Sequence, residues 1–325
     1  MSTITGHSEL DSRPSGDMSS TRRFGDRLFL GLSTGSGLVV VGLIAAVAVF
    51  LLAQAIPALS GNDANFLTDR VWDVDGQPLK FGIPDLLWVT VISSLVAMVI
   101  SVPVAIGVAL FLTQYAPRRL AGPLGYLVDL LAAVPSIVYG LWGVRILAEY
   151  VAPVQDFLGS ALGWFPLFDN SAGVTGTIFL ASIVLAIMIL PIVTAISREV
   201  FAQTPSTHKE GALALGATRW EMIRVAVLPF GAPGVISAAM LGLGRALGET
   251  IAVSLIISTT NGNFTTSIFG GGETFASKIA NNAQEFDTPT KAGAFIAAGL
   301  VLFVLTFVVN AIARIVIERR KAFSE

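Results

Sequence analysis

Six long apolar segments constrain this chain more than any other feature of its sequence. Each can exceed the ~20 residues that a helix needs to cross the hydrocarbon core of a bilayer. Of the 325 residues, 54% are hydrophobic and 13% are charged, whereas soluble domains carry about 25% charged residues. The sequence therefore predicts an all-α integral membrane protein with six transmembrane helices. The predicted spans are residues 28–59, 86–115, 124–147, 174–197, 231–258 and 292–317.

The apolar segments also predict how the chain is organised. Residues 1–27 are polar with little apolar clustering, which is typical of a disordered tail. The first apolar run is about twice as long as the 7–15-residue apolar region of a signal peptide, so we predict an uncleaved helix. The predicted parts are a cytoplasmic tail at 1–27, a first transmembrane helix at 28–59, an extracytoplasmic loop at 60–83, a five-helix core at 84–318 with a cytoplasmic loop at 198–228, and a cytoplasmic tail at 319–325.

The positions of Lys and Arg predict the orientation. If the N-terminus is inside, the outer loops hold only Arg70, Lys80, Lys278 and Lys291, and most other basic residues fall in inner segments. An excess of Lys and Arg marks the cytoplasmic side of a membrane protein. We therefore expect a multi-pass protein of the cell (plasma or inner) membrane with both termini in the cytoplasm.

Several kinds of chemistry are excluded or disfavoured by composition. The chain has no Cys and only two His, so Cys-ligated zinc is excluded and a metal cluster is not expected. A net charge of −2 gives no basic surface for nucleic acid. There is no G-x-x-x-x-G-K-[ST] phosphate-binding loop and no membrane-embedded catalytic constellation. We expect no catalytic residue, no enzymatic activity and no cofactor bound by this chain itself.

Arg245 and Glu249 are charged residues inside the predicted fifth span. A charge at the bilayer centre costs roughly 2.5–3.5 kcal/mol on insertion scales, so such residues usually face a bundle interior or a water-filled path. A spacing of four residues would place both on one helix face. The sequence predicts that the chain moves a polar solute past this pair. The alternative is a structural ion pair that joins this span to a neighbouring subunit.

Arg145 is predicted near the outer end of the third span. Its long side chain can reach the headgroups from there, or it can make an electropositive entrance for an anion. The fifth span is also rich in small residues, which favour close helix packing. They are Gly234, Ala238, Gly242 and the G-x-x-x-G pair Gly244 and Gly248.

The inner loop between spans four and five is predicted to form two short helices. Thr207 with Glu210, and Thr218 with Glu221, fit the S/T-x-x-E capping box that opens a helix. Gly216 fits a helix stop, and the second helix is predicted to end before Pro229. The first helix presents small and apolar side chains in water, which indicates a docking site for another protein.

This loop resembles the EAA loop of ATP-binding-cassette (ABC) importer permeases, which depend on a separate binding protein. The resemblance rests on Glu210-Gly211-Ala212, Gly216 and Leu228-Pro229. Two positions differ, because Gly211 replaces an Ala and Ala226 stands at the usual Ile position. The resemblance implies the type I ABC importer permease fold. It also implies that Glu210, Gly211, Ala212 and Gly216 contact the ATPase.

Two further strings, Pro135–Leu141 and Gly242–Thr250, resemble segments of phosphate importer permeases. That resemblance implies a heterodimer with a second permease subunit (PstA-like) and an extracytoplasmic phosphate-binding protein (PstS-like). It also implies two ATPase subunits (PstB-like) that use ATP and Mg. The remaining alternatives are a permease for another oxyanion, such as molybdate or sulfate, and an ion-coupled secondary transporter. The latter would predict inverted repeats, and the sequence shows no convincing repeat.

Overall fold

The computed structural model describes residues 24–171, 173–259 and 265–321, and most of them are helical. The α-helices of these residues are α1 (Phe24–Ser60), α2 (Pro84–Leu110), α3 (Arg118–Ala132), α4 (Ser136–Trp142), α5 (Ala148–Leu162), α6 (Ile178–Ala202), α7 (Ser206–Ala214), α8 (Arg219–Met222), α9 (Leu228–Gly248), α10 (Ile251–Ile256), α11 (Phe275–Asn281) and α12 (Pro289–Lys321). Three π-helical segments, Phe111–Tyr115, Gly143–Leu147 and Ile223–Val227, continue α2, α4 and α8, and 3-10 turns occur at Pro166–Phe168 and Ala283–Glu285. Strands β1 (Trp72–Asp73) and β2 (Lys80–Phe81) pair antiparallel.

Six helical stretches of the described residues are long and apolar enough to cross a membrane, which confirms the predicted fold class. They are Gly25–Ser60, Pro84–Tyr115, Ser136–Leu162, Ile178–Ala202, Arg219–Gly248 and Pro289–Glu318.

The predicted bounds of the third span are wrong. The helix is interrupted between Ala132 and Ser136, so the predicted segment 124–147 is divided between α3 and α4. Pro135 is the N-cap of α4. A proline lacks the N–H that a continuing helix needs and disfavours helical conformation in the residue before it. The spanning stretch therefore begins at Ser136.

The fifth span also differs from its prediction of 231–258. Its helical path begins at Arg219, passes through the π-helical segment Ile223–Val227 and ends at Gly248. Helix α8 ends at Met222, before Pro229 as expected, but the helical path does not break there. Pro229 lies in the first turn of α9, where its missing N–H is tolerated, and the preceding π-helical segment is a register change that π-bulges commonly provide.

The first and last helices extend further toward the chain ends than predicted. Residues 1–23 and 322–325 lie outside the described residues, but α1 begins at Phe24 and α12 continues to Lys321. The chain divides into two compact units between Val49 and Phe50. The described part of the first unit consists of α1 residues, most of them exposed and apolar.

The second unit is centred on α6, which packs antiparallel to α9. Gly234 of α9 faces Val200 and Gly242 faces Val193, and Ala238 is buried between them. These small residues let the two helices approach closely.

The G-x-x-x-G pair has a different environment. A Cβ added to Gly244 or Gly248 would meet no described atom within 4 Å. The predicted close packing therefore occurs on the face of Gly234, Ala238 and Gly242. The face of Gly244 and Gly248 is open.

The two faces of α9 generate a stability prediction. A Cβ at Gly242 would lie 2.9 Å from Cγ2 of Val193, so Gly242→Val should separate α9 from α6. Overpacking of this kind typically costs about 1–3 kcal/mol. We expect a lower melting temperature for purified Gly242→Val in detergent. Gly244→Val is the matched control and should melt like the parent; equal melting of both variants would contradict the packing.

Candidate functional site

Arg245 lies near the middle of the helix bundle. Gly231, Gly234 and Gly242 of α9 face Phe201, Val200 and Val193 of α6 in turn, so the two helices run antiparallel. Position 193 is near the centre of α6, which spans 25 residues (Ile178–Ala202). Arg245 follows Gly242 by about one helical turn. Its Cα is therefore far from either end of α6.

The guanidinium of Arg245 has unused hydrogen-bonding capacity. The residue is half-buried, and its Nε is buried without a hydrogen-bond partner among the described residues. The ion pairs formed within the described part of the chain do not include it. Buried polar groups normally have a partner. This group is therefore suited to bind something that the chain does not itself supply.

The predicted pairing of Arg245 with Glu249 on one helix face is wrong. Helix α9 ends at Gly248, and Glu249 has extended backbone angles, φ −68° and ψ 127°. Its Oε1 accepts a hydrogen bond from the Ala252 N–H at 3.2 Å. Glu249 thus binds the first turn of α10 at a helix end, where free N–H groups attract a carboxylate.

The string Pro135–Leu141 packs against α10, which follows the string Gly242–Thr250. A Cβ at Gly140 would lie 3.0 Å from the Ala252 Cα, so a larger residue there would push α4 and α10 apart. A Cβ at Gly143 would lie 2.8 Å from Cγ2 of Val184, which joins the same region to α6. The break between α3 and α4 and the break between α9 and α10 therefore lie close together.

Tyr139 is a site residue that the sequence predictions missed. Its ring is buried in the apolar core that α4, α6 and α10 form. Its hydroxyl donates to the Leu131 carbonyl at 2.9 Å. That carbonyl belongs to the last turn of α3 and also accepts from the Val134 N–H at 3.4 Å, so the hydroxyl adds a second bond at this helix end. Arg245 lies within electrostatic range of the Tyr139 hydroxyl. The Pro135 break, visible in the sequence, was the signal that polar groups would be needed here.

Arg145 is not at its predicted position near the outer end of a span. It lies in the π-helical segment Gly143–Leu147, within the spanning stretch Ser136–Leu162. Its side chain is exposed in this chain. The ion pairs of the described residues do not include it. π-Helical segments inside α-helices often mark functional sites. No described contact joins Arg145 to Arg245.

Asp129 has a structural partner. Its Oδ2 lies 3.3 Å from Nη2 of Arg198, and this ion pair joins α3 to α6. Gly125 leaves room for the pair, because a Cβ there would overlap Nη1 of Arg198.

The second candidate region is the loop around α7 and α8. The N–H of Gly216 donates to the Leu213 carbonyl at 3.0 Å, and the N–H of Ala217 donates to the Ala212 carbonyl at 3.2 Å. These bonds form a Schellman motif. Gly216 has φ +85°, a conformation that glycine adopts without strain. The predicted glycine stop is confirmed.

One of the two predicted capping boxes is present. Thr218 and Glu221 form a reciprocal capping box at the start of α8. The box predicted at Thr207 and Glu210 is wrong, because α7 begins at Ser206, so Thr207 lies inside the helix, and the N-cap Pro205 forms no side-chain cap. Proline's fixed φ suits the entry to a helix, so a side-chain cap is not needed to start it.

Part of α7 and its C-terminus is available to a partner. Glu210 and Gly211 are exposed, and the Leu215 side chain is 91% exposed. Ala212 instead packs against the buried cluster that contains Ile223 and Phe201. The loop is therefore a small apolar projection that is anchored on one side and open on the other.

The comparisons with known proteins agree with this geometry. Residues 101–322 match the model of the binding-protein-dependent transport system inner membrane component family. The chain belongs to this family. This chain is therefore an inner-membrane component of a binding-protein-dependent transport system.

Relatives of the permease carry a more specific description. A Mycobacterium tuberculosis protein, "Phosphate transport system permease protein PstC 2", is 55% identical over 302 residues, which cover 92% of this chain and 93% of the relative. The Mycobacterium leprae protein "Phosphate transport system permease protein PstC" is 54% identical over 298 residues, 90% of this chain and 93% of the relative.

A solved structure shows the same fold. A chain of the MetNI methionine ABC transporter, in inward-facing conformations, matches with a TM-score of 0.54 and 14% identity. The match covers 72% of this chain and 94% of that chain. The permease is thus a multi-pass membrane protein with the fold of an ABC importer permease.

Proposed function

We propose that this chain is the transmembrane permease subunit of an ATP-driven ABC importer for inorganic phosphate and forms half of the translocation pathway. The observation that carries the proposal is the Arg245 guanidinium, which lies in mid-bundle with a buried, unbonded Nε. The PstC relatives, more than half identical to this chain over nine tenths of its length, support phosphate as the cargo.

An arginine suits this cargo for geometric reasons. Its planar guanidinium can donate two parallel hydrogen bonds to two oxygens of one phosphate. Glu249 binds Ala252 instead of the guanidinium, so it does not occupy those donors. A single cationic contact binds an anion weakly enough for release to the other side. Arg245 is therefore proposed as a transit contact, with Glu249 as the residue that positions the chain after it. Arg145 is a further proposed contact along the path.

The assembly follows from what this chain lacks. Arg245 borders an open face of α9, so we propose a second permease subunit (PstA-like) that closes the path as a heterodimer. Two ATPase subunits (PstB-like) supply energy with ATP and Mg, and an extracytoplasmic phosphate-binding protein (PstS-like) delivers the cargo. Both termini lie in the cytoplasm, as the distribution of Lys and Arg favours.

The loop around α7 is proposed to couple this chain to the ATPase. Glu210 and Gly211 face outward and make the contact, while Ala212 transmits it to the helices behind. Gly216 sets the corner between α7 and α8. When ATP closes the ATPase dimer, a force on this loop moves the inner ends of the spans, and the path opens alternately to either face.

The first functional prediction concerns the guanidinium fork. Arg245→Lys keeps the charge but removes the bidentate geometry. A hydrogen bond to a charged group contributes about 1.5–3 kcal/mol, so uptake should fall about tenfold or more. The measurement is uptake of radiolabelled phosphate by proteoliposomes holding all four subunit types, with sulfate and molybdate as competitors. Arg224→Lys, at an exposed position of the same helical path, is the control and should retain uptake. Unchanged uptake by Arg245→Lys would refute the bidentate contact, and stronger competition by sulfate or molybdate than by unlabelled phosphate would refute the cargo.

The second functional prediction concerns Gly216. A β-branched side chain at φ +85° costs roughly 1–2 kcal/mol or more, so Gly216→Val should distort the corner between α7 and α8. We expect normal amounts of assembled permease in the membrane but greatly reduced phosphate uptake and binding-protein-stimulated ATP hydrolysis. Gly42→Val, in α1 and outside the coupling loop, is the matched control, because a Cβ there meets no described atom within 4 Å. Full uptake by Gly216→Val would rule out the proposed coupling role.

A further inference from the structure

The chain between α10 and α12 folds back into the bundle. We call residues Ser267–Asn281 the plug segment. Phe269 and Phe275 in it are fully buried, which is unusual for a connection between two spans. Backbone hydrogen bonds hold the segment to the start of α6 and to the chain that follows α10. Gly270 accepts from the Ile178 N–H at 2.9 Å, and the Gly272 N–H donates to the Ser258 carbonyl at 3.0 Å.

A third bond ties the plug segment to α2, where the Phe275 N–H donates to Oγ1 of Thr90 at 3.1 Å. Thr90 lies in α2 beyond its first turn, so the plug segment reaches into the bundle. It therefore occupies the space between the starts of α2 and α6 and the end of α10.

The plug segment contains a largely buried ion pair. Nζ of Lys278 lies 2.7 Å from Oε2 of Glu273, and the two side chains are 18% and 16% exposed. The other carboxylate oxygen of Glu273 accepts from Nδ2 of Asn281 at 3.3 Å. Asn281 in turn accepts, through Oδ1, a short hydrogen bond from the Ser254 hydroxyl. Ser254 belongs to α10, so the ion pair is joined through Asn281 to the helix that follows Arg245 and Glu249.

The same lysine also reaches the loop after α1. Its Nζ lies 5.8 Å from the centroid of the Trp72 ring, a cation–π distance. Trp72 belongs to β1 and packs on Phe81 and Phe295, with ring centroids 5.6 and 5.4 Å away. One continuous set of contacts therefore runs from the β1–β2 pair to α10.

We propose that the hydrogen bond between Asn281 and Ser254 is a latch that holds the plug segment on α10 and must release each time the path opens on that face. The Glu273–Lys278 ion pair lies within the segment and keeps Asn281 in place for that bond. The proposal deepens the alternating opening described above and rests on it. A polar contact suits a latch because water can bond both partners when it opens, whereas a broken apolar contact would expose apolar surface to water. Glu273 and Lys278 are positioning residues, and Trp72 connects them to the loop after α1.

A reversible cross-link tests whether the latch must release. This chain has no Cys, so Ser254→Cys with Asn281→Cys introduces the only two thiols, at side chains already in contact. In proteoliposomes of the full transporter, oxidation should reduce phosphate uptake at least tenfold, and dithiothreitol should restore it. The two single-Cys variants are controls and should not respond. Equal uptake in the oxidised and reduced states, with the disulfide confirmed by mass spectrometry, would overturn the latch.

A second experiment tests whether the ion pair positions Asn281 for the latch. Lys278→Met should raise ATP hydrolysis in the absence of binding protein severalfold, because Asn281 is no longer held in place. Lys291→Met is the matched control, since Lys291 pairs with Asp75 and Asp287. Ser254→Ala removes the bond to Asn281 itself and should give the same increase as Lys278→Met. Identical behaviour of Lys278→Met and Lys291→Met would overturn the latch.

These outcomes separate the latch from the proposed cargo. If the unmodified transporter takes up no phosphate, the cargo assignment fails. The latch is then judged by whether the disulfide abolishes the ATP hydrolysis that the binding protein stimulates. If Lys278→Met does not assemble, Ser254→Ala and the disulfide decide the question.

Discussion

A guanidinium near the middle of an apolar helix bundle is the constraint on which the rest of this structure depends. Insertion of such a charge costs roughly 2.5–3.5 kcal/mol, and the described part of the chain supplies no carboxylate to offset it. The surrounding features are consistent with water beside Arg245. Helix α9 ends shortly after it, at Gly248, which is exposed. Irregular backbone within a membrane is tolerated where it lines a water-filled cavity or is buried in protein.

The two faces of α9 have different environments. Gly234, Ala238 and Gly242 bring α9 against α6 and thereby fix the depth of Arg245. A Cβ added to Gly244 or Gly248 would meet nothing within the described part of this chain, so this face is open to water and to the second permease subunit proposed above. Close packing on one face thus holds a charged side chain at the edge of the other. The loop around α7 is built on the same plan, with Ala212 anchored and Leu215 exposed.

Features set by local chemistry were predictable from the sequence, and features set by long-range packing were not. The six helices follow from the length of the apolar runs, and the Gly216 corner and the Thr218 capping box follow from a few neighbouring residues. The end of α9 at Gly248 was missed because the apolar run continues past Glu249. The break shows only in the structure, in the extended backbone of Glu249 and in its bond to Ala252. The plug segment was equally invisible, because Ser254 and Asn281, which join it to α10, are 27 residues apart.

The most direct measurement is the reactivity of a thiol placed at the guanidinium. With Arg245→Cys in this Cys-free chain, a charged, membrane-impermeant methanethiosulfonate reagent reports whether water reaches the position in the assembled transporter. Ala246→Cys, at a buried neighbour, gives the dry reference. We predict that the thiol of the Arg245→Cys variant is modified at least tenfold faster than the thiol of the Ala246→Cys variant, and that phosphate slows the reaction. Equal and negligible modification of both variants, with and without ATP and binding protein, would show that Arg245 lies in dry packing and would contradict a translocation path beside it.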